Sequence, residues 1–165
     1  MGNVARRKHH FESRSEERTS LERAKNCSHG KGYHSTWVLE RAIRDHSMQI
    51  DVDKVKKASI KLKEFLDYIQ NSQSMNQLRG YEGEAASIYF GVFDELILQQ
   101  KKDFFFQGRN RRPPLDNVNA MLSFTYTLLT TQITSALEVV GLDPYVGYMH
   151  TERPGRDSLS LELIE

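Results

Sequence analysis

The sequence predicts an all-α fold, and three observations carry that prediction. Apolar residues recur at three- and four-residue spacing along most of residues 37–165, capping and stop signals bracket those stretches, and strand-type alternation is confined to a few residues near the C-terminus. The chain has 165 residues, 23 Lys+Arg against 22 Asp+Glu and 38% apolar residues, which fits one domain with a modest core. Its near-neutral charge excludes nucleic-acid binding by bulk charge alone, so such contact would have to come from a local basic patch. No apolar run approaches the roughly 18–20 residues of a membrane span, and the basic stretch Met1–His10 is followed by no apolar segment of the signal-peptide kind. Cys27 stands alone, which rules out an internal disulfide and a zinc-ribbon spacing and points to a reducing compartment, the cytoplasm.

Residues 1–36 hold eight Lys/Arg, four Asp/Glu and four of the six His, but few large aliphatic residues beyond Val4 and Leu21. They read as a polar, basic, His-rich segment that buries little and is poorly ordered, and His9, His10, His29 and His34 match no metal-ligand spacing. Trp37, Val38, Ala42 and Ile43 begin the helical periodicity. Asp51 and Asp53 then supply acidic residues for the N-terminus of a second helix, whose stripe is Val55, Ala58, Leu62, Leu66 and Ile69 with lysines elsewhere and Asn71-Ser72 at its end. Ser74 with Gln77 fits a capping box, and after Gly80 a third stripe runs through Ala85, Ile88, Tyr89, Val92, Phe93, Leu96 and Ile97. The longest helix follows Pro113-Pro114, carries Val118, Leu122, Tyr126, Leu129, Ile133, Leu137 and Val140, and stops at Gly141. Residues 158–165 alternate for four positions before Leu163-Ile164 breaks the pattern, which leaves strand and helix both open.

Two groups of residues have chemical character. Glu82 and Glu84 flank Gly83, His150 follows a Gly-Leu-Asp-Pro turn, and Glu162 and Glu165 share a face if the last segment is helical. Two carboxylates and an imidazole suit Mg2+ or Mn2+, leaving coordination positions for water and phosphate oxygens. The second group is basic and aromatic: Lys101, Lys102, Phe104-Phe105-Phe106, Arg109, Arg111 and Arg112, with Arg153 and Arg156 forming a smaller basic loop beside His150. Lys and Arg neutralise phosphates and aromatic rings stack on unpaired bases, although the phenylalanines also suit a loop folded back on the core.

Read together, Gly80-Tyr81-Glu82-Gly83-Glu84-Ala85-Ala86, the stretch Gly108-Arg109-Asn110-Arg111-Arg112-Pro113-Pro114-Leu115-Asp116-Asn117-Val118-Asn119, Gly147-Tyr148-Met149-His150 and Arg153-Pro154-Gly155-Arg156 resemble the C-terminal helical domain of the CRISPR-associated spacer integrase (Cas-one) family, with phrasing most like its type I-C branch. The resemblance covers about residues 37–165; the family's usual β-rich N-terminal domain has no counterpart in this sequence. It implies a metal-dependent DNA endonuclease or integrase for CRISPR spacer acquisition, with Glu82, His150 and Glu165 as catalytic residues on Mg2+ or Mn2+ and Glu162 as a supporting acidic residue. It also implies DNA as substrate, a homodimer weakened without the β-rich domain, and the small Cas-two protein as partner. The alternatives are a non-catalytic helical DNA-binding or interaction domain, or an inactive truncation.

Overall fold

The computed structural model of the protein describes residues 2–149 and 155–164. All regular structure among them is helical: α1 (Gly2–Ser15), α2 (Glu17–His46), α3 (Val52–Gln70), α4 (Met75–Gly91), a short 3-10 helix (Phe93–Leu96), α5 (Asn117–Val140) and α6 (Ser158–Ile164). The all-α expectation holds. The segment expected to be polar and poorly ordered is helical instead, and the boundary expected at residue 36 falls inside α2.

The helix ends follow local chemistry. Asp51 caps α3 by accepting from the Lys54 amide at 3.0 Å, and Ser74 caps α4 by accepting from Gln77 at 3.3 Å. The Gln77 side chain accepts in return from the Gln73 amide, one residue before the position of an ideal capping box. α5 closes with a Schellman turn: Gly141 takes φ +83°, its amide donates to Glu138 and the Leu142 amide to Leu137, a conformation that costs glycine little and other residues more. Residues 158–164 settle as helix, not strand.

The chain divides into two compact units, residues 1–27 with 125–165 and residues 28–124. The core of the second unit is Leu39, Val55, Ala58, Leu62, Phe65, Ala85 and Val92, with Ile43, Tyr81, Ile88 and Tyr89 packed against it. Leu39 is fully buried, whereas Trp37 and Val38, expected on the apolar stripe, are exposed and Trp37 carries the Arg41 guanidinium over its ring at 5.5 Å. α2 approaches α3 closely at Gly32, where a Cβ would lie 2.7 Å from a Leu66 methyl. Glu95 ties the 3-10 helix to the start of α3 by accepting from the Asp51 amide and from Lys54 Nζ.

The first unit buries Ala24, Leu137, Val146, Tyr148, Met149 and Leu159. Alongside these it buries many polar groups, including His10, Ser13, Ser20, Lys25, Ser158, Ser160 and Glu162. Most find partners in the unit: Ser20 donates to the Tyr148 carbonyl at 3.1 Å, and Thr134 joins α5 to α6 through Ser160 at 2.8 Å and Asp157 at 3.2 Å.

Candidate functional site

In the second unit, α4 places Glu82 next to Tyr81, whose ring packs on Phe65 and Tyr68 and so fixes that face of the helix. Glu82 therefore sits in the middle of α4, which begins at Met75 behind the Ser74 cap. Its carboxylate is half-buried. Lys31 Nζ donates to Oε1 at 2.7 Å and Ser28 Oγ donates to the same oxygen at 3.3 Å. Ser28 and Lys31 lie three apart on α2, so one helical face delivers both donors. Among the described residues nothing bonds to Oε2. Glu84, two positions on, is exposed to solvent, which distinguishes it from Glu82.

In the first unit, Glu162 is 2% exposed, yet both of its oxygens are used. The Tyr148 amide donates to Oε2 at 2.8 Å and the Met149 amide to Oε1 at 2.7 Å. The loop fits because residue 147 is glycine: a Cβ there would run into the Glu162 carboxylate and lie 2.9 Å from Ser158 Cβ. Tyr148 is held on its other sides by Arg23, which donates to the phenol oxygen at 2.9 Å, and by the His10 ring at 5.5 Å. Burial pushes His10 below its ordinary value of 6.5, against the opposing pull of Asp143, while burial pushes the Tyr148 phenol up.

The basic and aromatic loop resolves into two kinds of residue. Phe106 is buried against Phe90 and Phe93, with ring centroids 5.7 and 4.9 Å away, whereas Phe105 stays exposed. Lys101, Lys102, Arg111 and Arg112 are exposed, but Arg109 turns inward and donates to the Asn110 carbonyl at 2.8 Å and Asn119 Oδ1 at 2.9 Å. Asn119, wholly buried, is the hub of this loop: its amide nitrogen donates to the Gly108 carbonyl and to Asp116, and its oxygen also accepts from the Asn110 amide. Arg156 is partly buried and its carbonyl accepts from the Ser158 amide at 2.8 Å. His150, Arg153 and Glu165 lie outside the described residues.

Among the described residues no three His, Cys, Asp or Glu side chains gather around one point. Glu82 fits a cation ligand, because it already holds a cation on one oxygen and, among the described residues, keeps the other unbonded. Glu162 accepts one backbone amide on each oxygen, which ties it to the loop before residue 150. Sequence reasoning missed Ser28 and Lys31, which sit in the segment expected to bury little, and missed Asn119, whose only signal was its place in an Asp-Asn-Val-Asn stretch.

Comparison with known proteins converges on one family. The family model described as CRISPR associated protein Cas1 matches residues 1–165. A CRISPR-associated endonuclease Cas1 of Leptospira interrogans is 42% identical over 159 residues, covering 96% of this chain and 63% of that protein. Among solved structures, a casposase bound to integration product superposes with a TM-score of 0.78 at 25% identity, over 97% of this chain and 45% of the other. A partial Cas6-RT-Cas1–Cas2 complex gives a TM-score of 0.84 at 22% identity, over 99% and 46%, a likeness of fold. The chain thus spans less than two thirds of the relatives it matches. No helix among the described residues is long and apolar enough to cross a membrane.

Proposed function

The chain belongs to the CRISPR-associated Cas1 family, and on that premise we propose that it carries the helical, metal-dependent part of an endonuclease or integrase acting on DNA in CRISPR spacer acquisition. The observation that carries this reading is Glu82, a half-buried carboxylate that holds a cation on one oxygen and, among the described residues, leaves the other unbonded. Glu82, His150 and Glu165 are the residues that would hold Mg2+ or Mn2+, on the family resemblance. When bound there, such an ion supplies polarisation of a phosphate oxygen and orients the attacking hydroxyl for transesterification, or a water for hydrolysis.

The chain's own residues then have separate tasks. Glu162 fixes the Tyr148 and Met149 amides, and these residues directly precede His150 in the sequence, so the buried carboxylate positions the chain at the point where it enters that ligand. The exposed cations Lys101, Lys102, Arg111 and Arg112 neutralise DNA phosphates, joined by Arg153 and Arg156, while Arg109 holds the loop in shape. The substrate is DNA, the family resemblance supplies a second copy and the Cas2 protein as partners, and the setting is the cytoplasm.

A second reading, a non-catalytic helical DNA-binding domain, draws on the same exposed cations. The deciding experiment is Mn2+-dependent nicking or strand transfer on a branched DNA, comparing the unaltered chain with Glu82→Ala, His150→Ala and an Arg111→Ala/Arg112→Ala pair. The metal-dependent reading expects turnover to vanish in the first two variants, and the pair to weaken DNA binding and flatten its salt dependence. Binding without turnover in the unaltered chain favours the second reading, and turnover that survives both Glu82→Ala and His150→Ala overturns the first.

A further inference from the structure

Lys31 has no part in the site as the family resemblance describes it, yet its ammonium is the group closest to the Glu82 carboxylate. The two side chains are 17% and 26% exposed, so the pair is largely withdrawn from water, and Ser28 supports it from the same face of α2. This differs from the other ion pairs of this unit. Lys54–Glu95, Lys63–Glu40 and Lys101–Asp94 all have a lysine about half exposed, and such a lysine can return to solvent at little cost. Lys31, only 17% exposed, does so at greater cost, so an anion or another oxygen acceptor beside it is favoured when its carboxylate is taken.

An ammonium 2.7 Å from Oε1 also neutralises the charge through which Glu82 would attract a divalent ion, and positive charges crowded on one carboxylate repel strongly where water is sparse. Metal binding and the ion pair therefore oppose each other. The conflict is relieved when an anion arrives with the metal, and the anion that a DNA-processing site brings is a phosphate.

We propose that Lys31 is an exchangeable counter-ion: it neutralises Glu82 in the metal-free protein and passes to a substrate phosphate when a divalent ion takes the carboxylate, so that metal and DNA bind cooperatively. The inference rests on Glu82 being a metal ligand. It makes Lys31 a positioning residue whose absence helps metal binding when no DNA is present and removes the coupling when DNA is added.

The test is calorimetric titration of Mn2+, with and without a short DNA duplex, into the unaltered chain, Lys31→Gln, Lys31→Arg and Glu82→Gln. Without DNA, Lys31→Gln is expected to bind Mn2+ about 3- to 10-fold more tightly, while Lys31→Arg stays within about twofold of the unaltered chain. With DNA, the unaltered chain gains about fivefold or more in Mn2+ affinity and Lys31→Gln gains far less. Unchanged or weaker Mn2+ binding by Lys31→Gln without DNA overturns the proposal.

Glu82→Gln separates the two levels of the argument. If it loses Mn2+ while Lys31→Gln leaves affinity unchanged, the role of Lys31 fails and the reading of Glu82 stands. If it binds Mn2+ as the unaltered chain does, or if no form binds Mn2+, both fail. Should Lys31→Gln not fold, the lysine ammonium resonances of the 15N-labelled unaltered chain give the same answer, with Lys31 assigned by its loss in Lys31→Arg. Added Mg2+ must shift that resonance, and a resonance that ignores Mg2+ overturns the exchange.

Discussion

Glu162 and Glu82 are both glutamates drawn out of bulk water, but the two units hold them by different means. Glu162 is fully buried and gives each oxygen to a backbone amide, a pair of bonds that fixes the loop before residue 150. Glu82 is half-buried and is held by a lysine and a serine side chain, with one oxygen unbonded among the described residues. Backbone amides cannot leave, whereas a lysine can exchange its anion. Burial alone therefore does not separate the two carboxylates, and the identity of the donor does.

The largest expected effect follows from that contrast. Glu162→Gln replaces one acceptor with an NH2 that faces a backbone amide, so urea unfolding should show a loss of about 2–4 kcal/mol. Glu82→Gln keeps an acceptor for Lys31 but not its counter-charge, and should cost about 1–2 kcal/mol in the same assay. Equal losses would erase the distinction between the two carboxylates. Gly147→Ala sharpens it: the added methyl runs into the Glu162 carboxylate and Ser158, and displacing this buried pair should cost about 1–3 kcal/mol. A Gly147→Ala chain as stable as the unaltered one would mean that the Glu162 clasp is loose.

The smallest effect concerns pH. Burial lowers the pKa of His10 from 6.5, so below that value the unfolded chain binds the proton more readily than the folded one. His10 therefore favours folding least in acid: stability should fall as pH drops through 6.5 toward the lowered folded value, and be unaffected by this residue well above 6.5. Comparing urea midpoints at pH 7.5 and about pH 5.5 in the unaltered chain and His10→Gln checks this. The acid loss should shrink in the variant, and an identical loss in both would assign it to other groups.

Much of the fold could be read from the sequence because its helices announce themselves locally. Asp51 and Ser74 cap where their side chains suggested, and Gly141 ends α5 with the left-handed turn that glycine adopts at little cost. Residues 1–36 were opaque for a physical reason: the helices there bury Ser13, Ser20, Lys25, Ser28 and Thr36, and apolar periodicity does not register a buried serine. Periodicity also fails to say which of several apolar faces turns inward, so Trp37 and Val38 were expected in place of Leu39. Glu82 and Glu162 were each visible as acidic residues, but their partners were not. The amides of Tyr148 and Met149 have no sequence signature, and Lys31 is one lysine among many until α2 brings it to α4.

The central claim is that Glu82 belongs to a divalent-metal site while Glu162 belongs to the framework. Its most direct test is the shift of the thermal unfolding midpoint on adding Mn2+, since a ligand that binds the folded state raises that midpoint in proportion to its affinity. The account predicts a rise in the unaltered chain that disappears in Glu82→Gln, the metal-free midpoint of that variant being lower by only a few degrees. A Glu82→Gln chain whose midpoint rises with Mn2+ as much as that of the unaltered protein would contradict it.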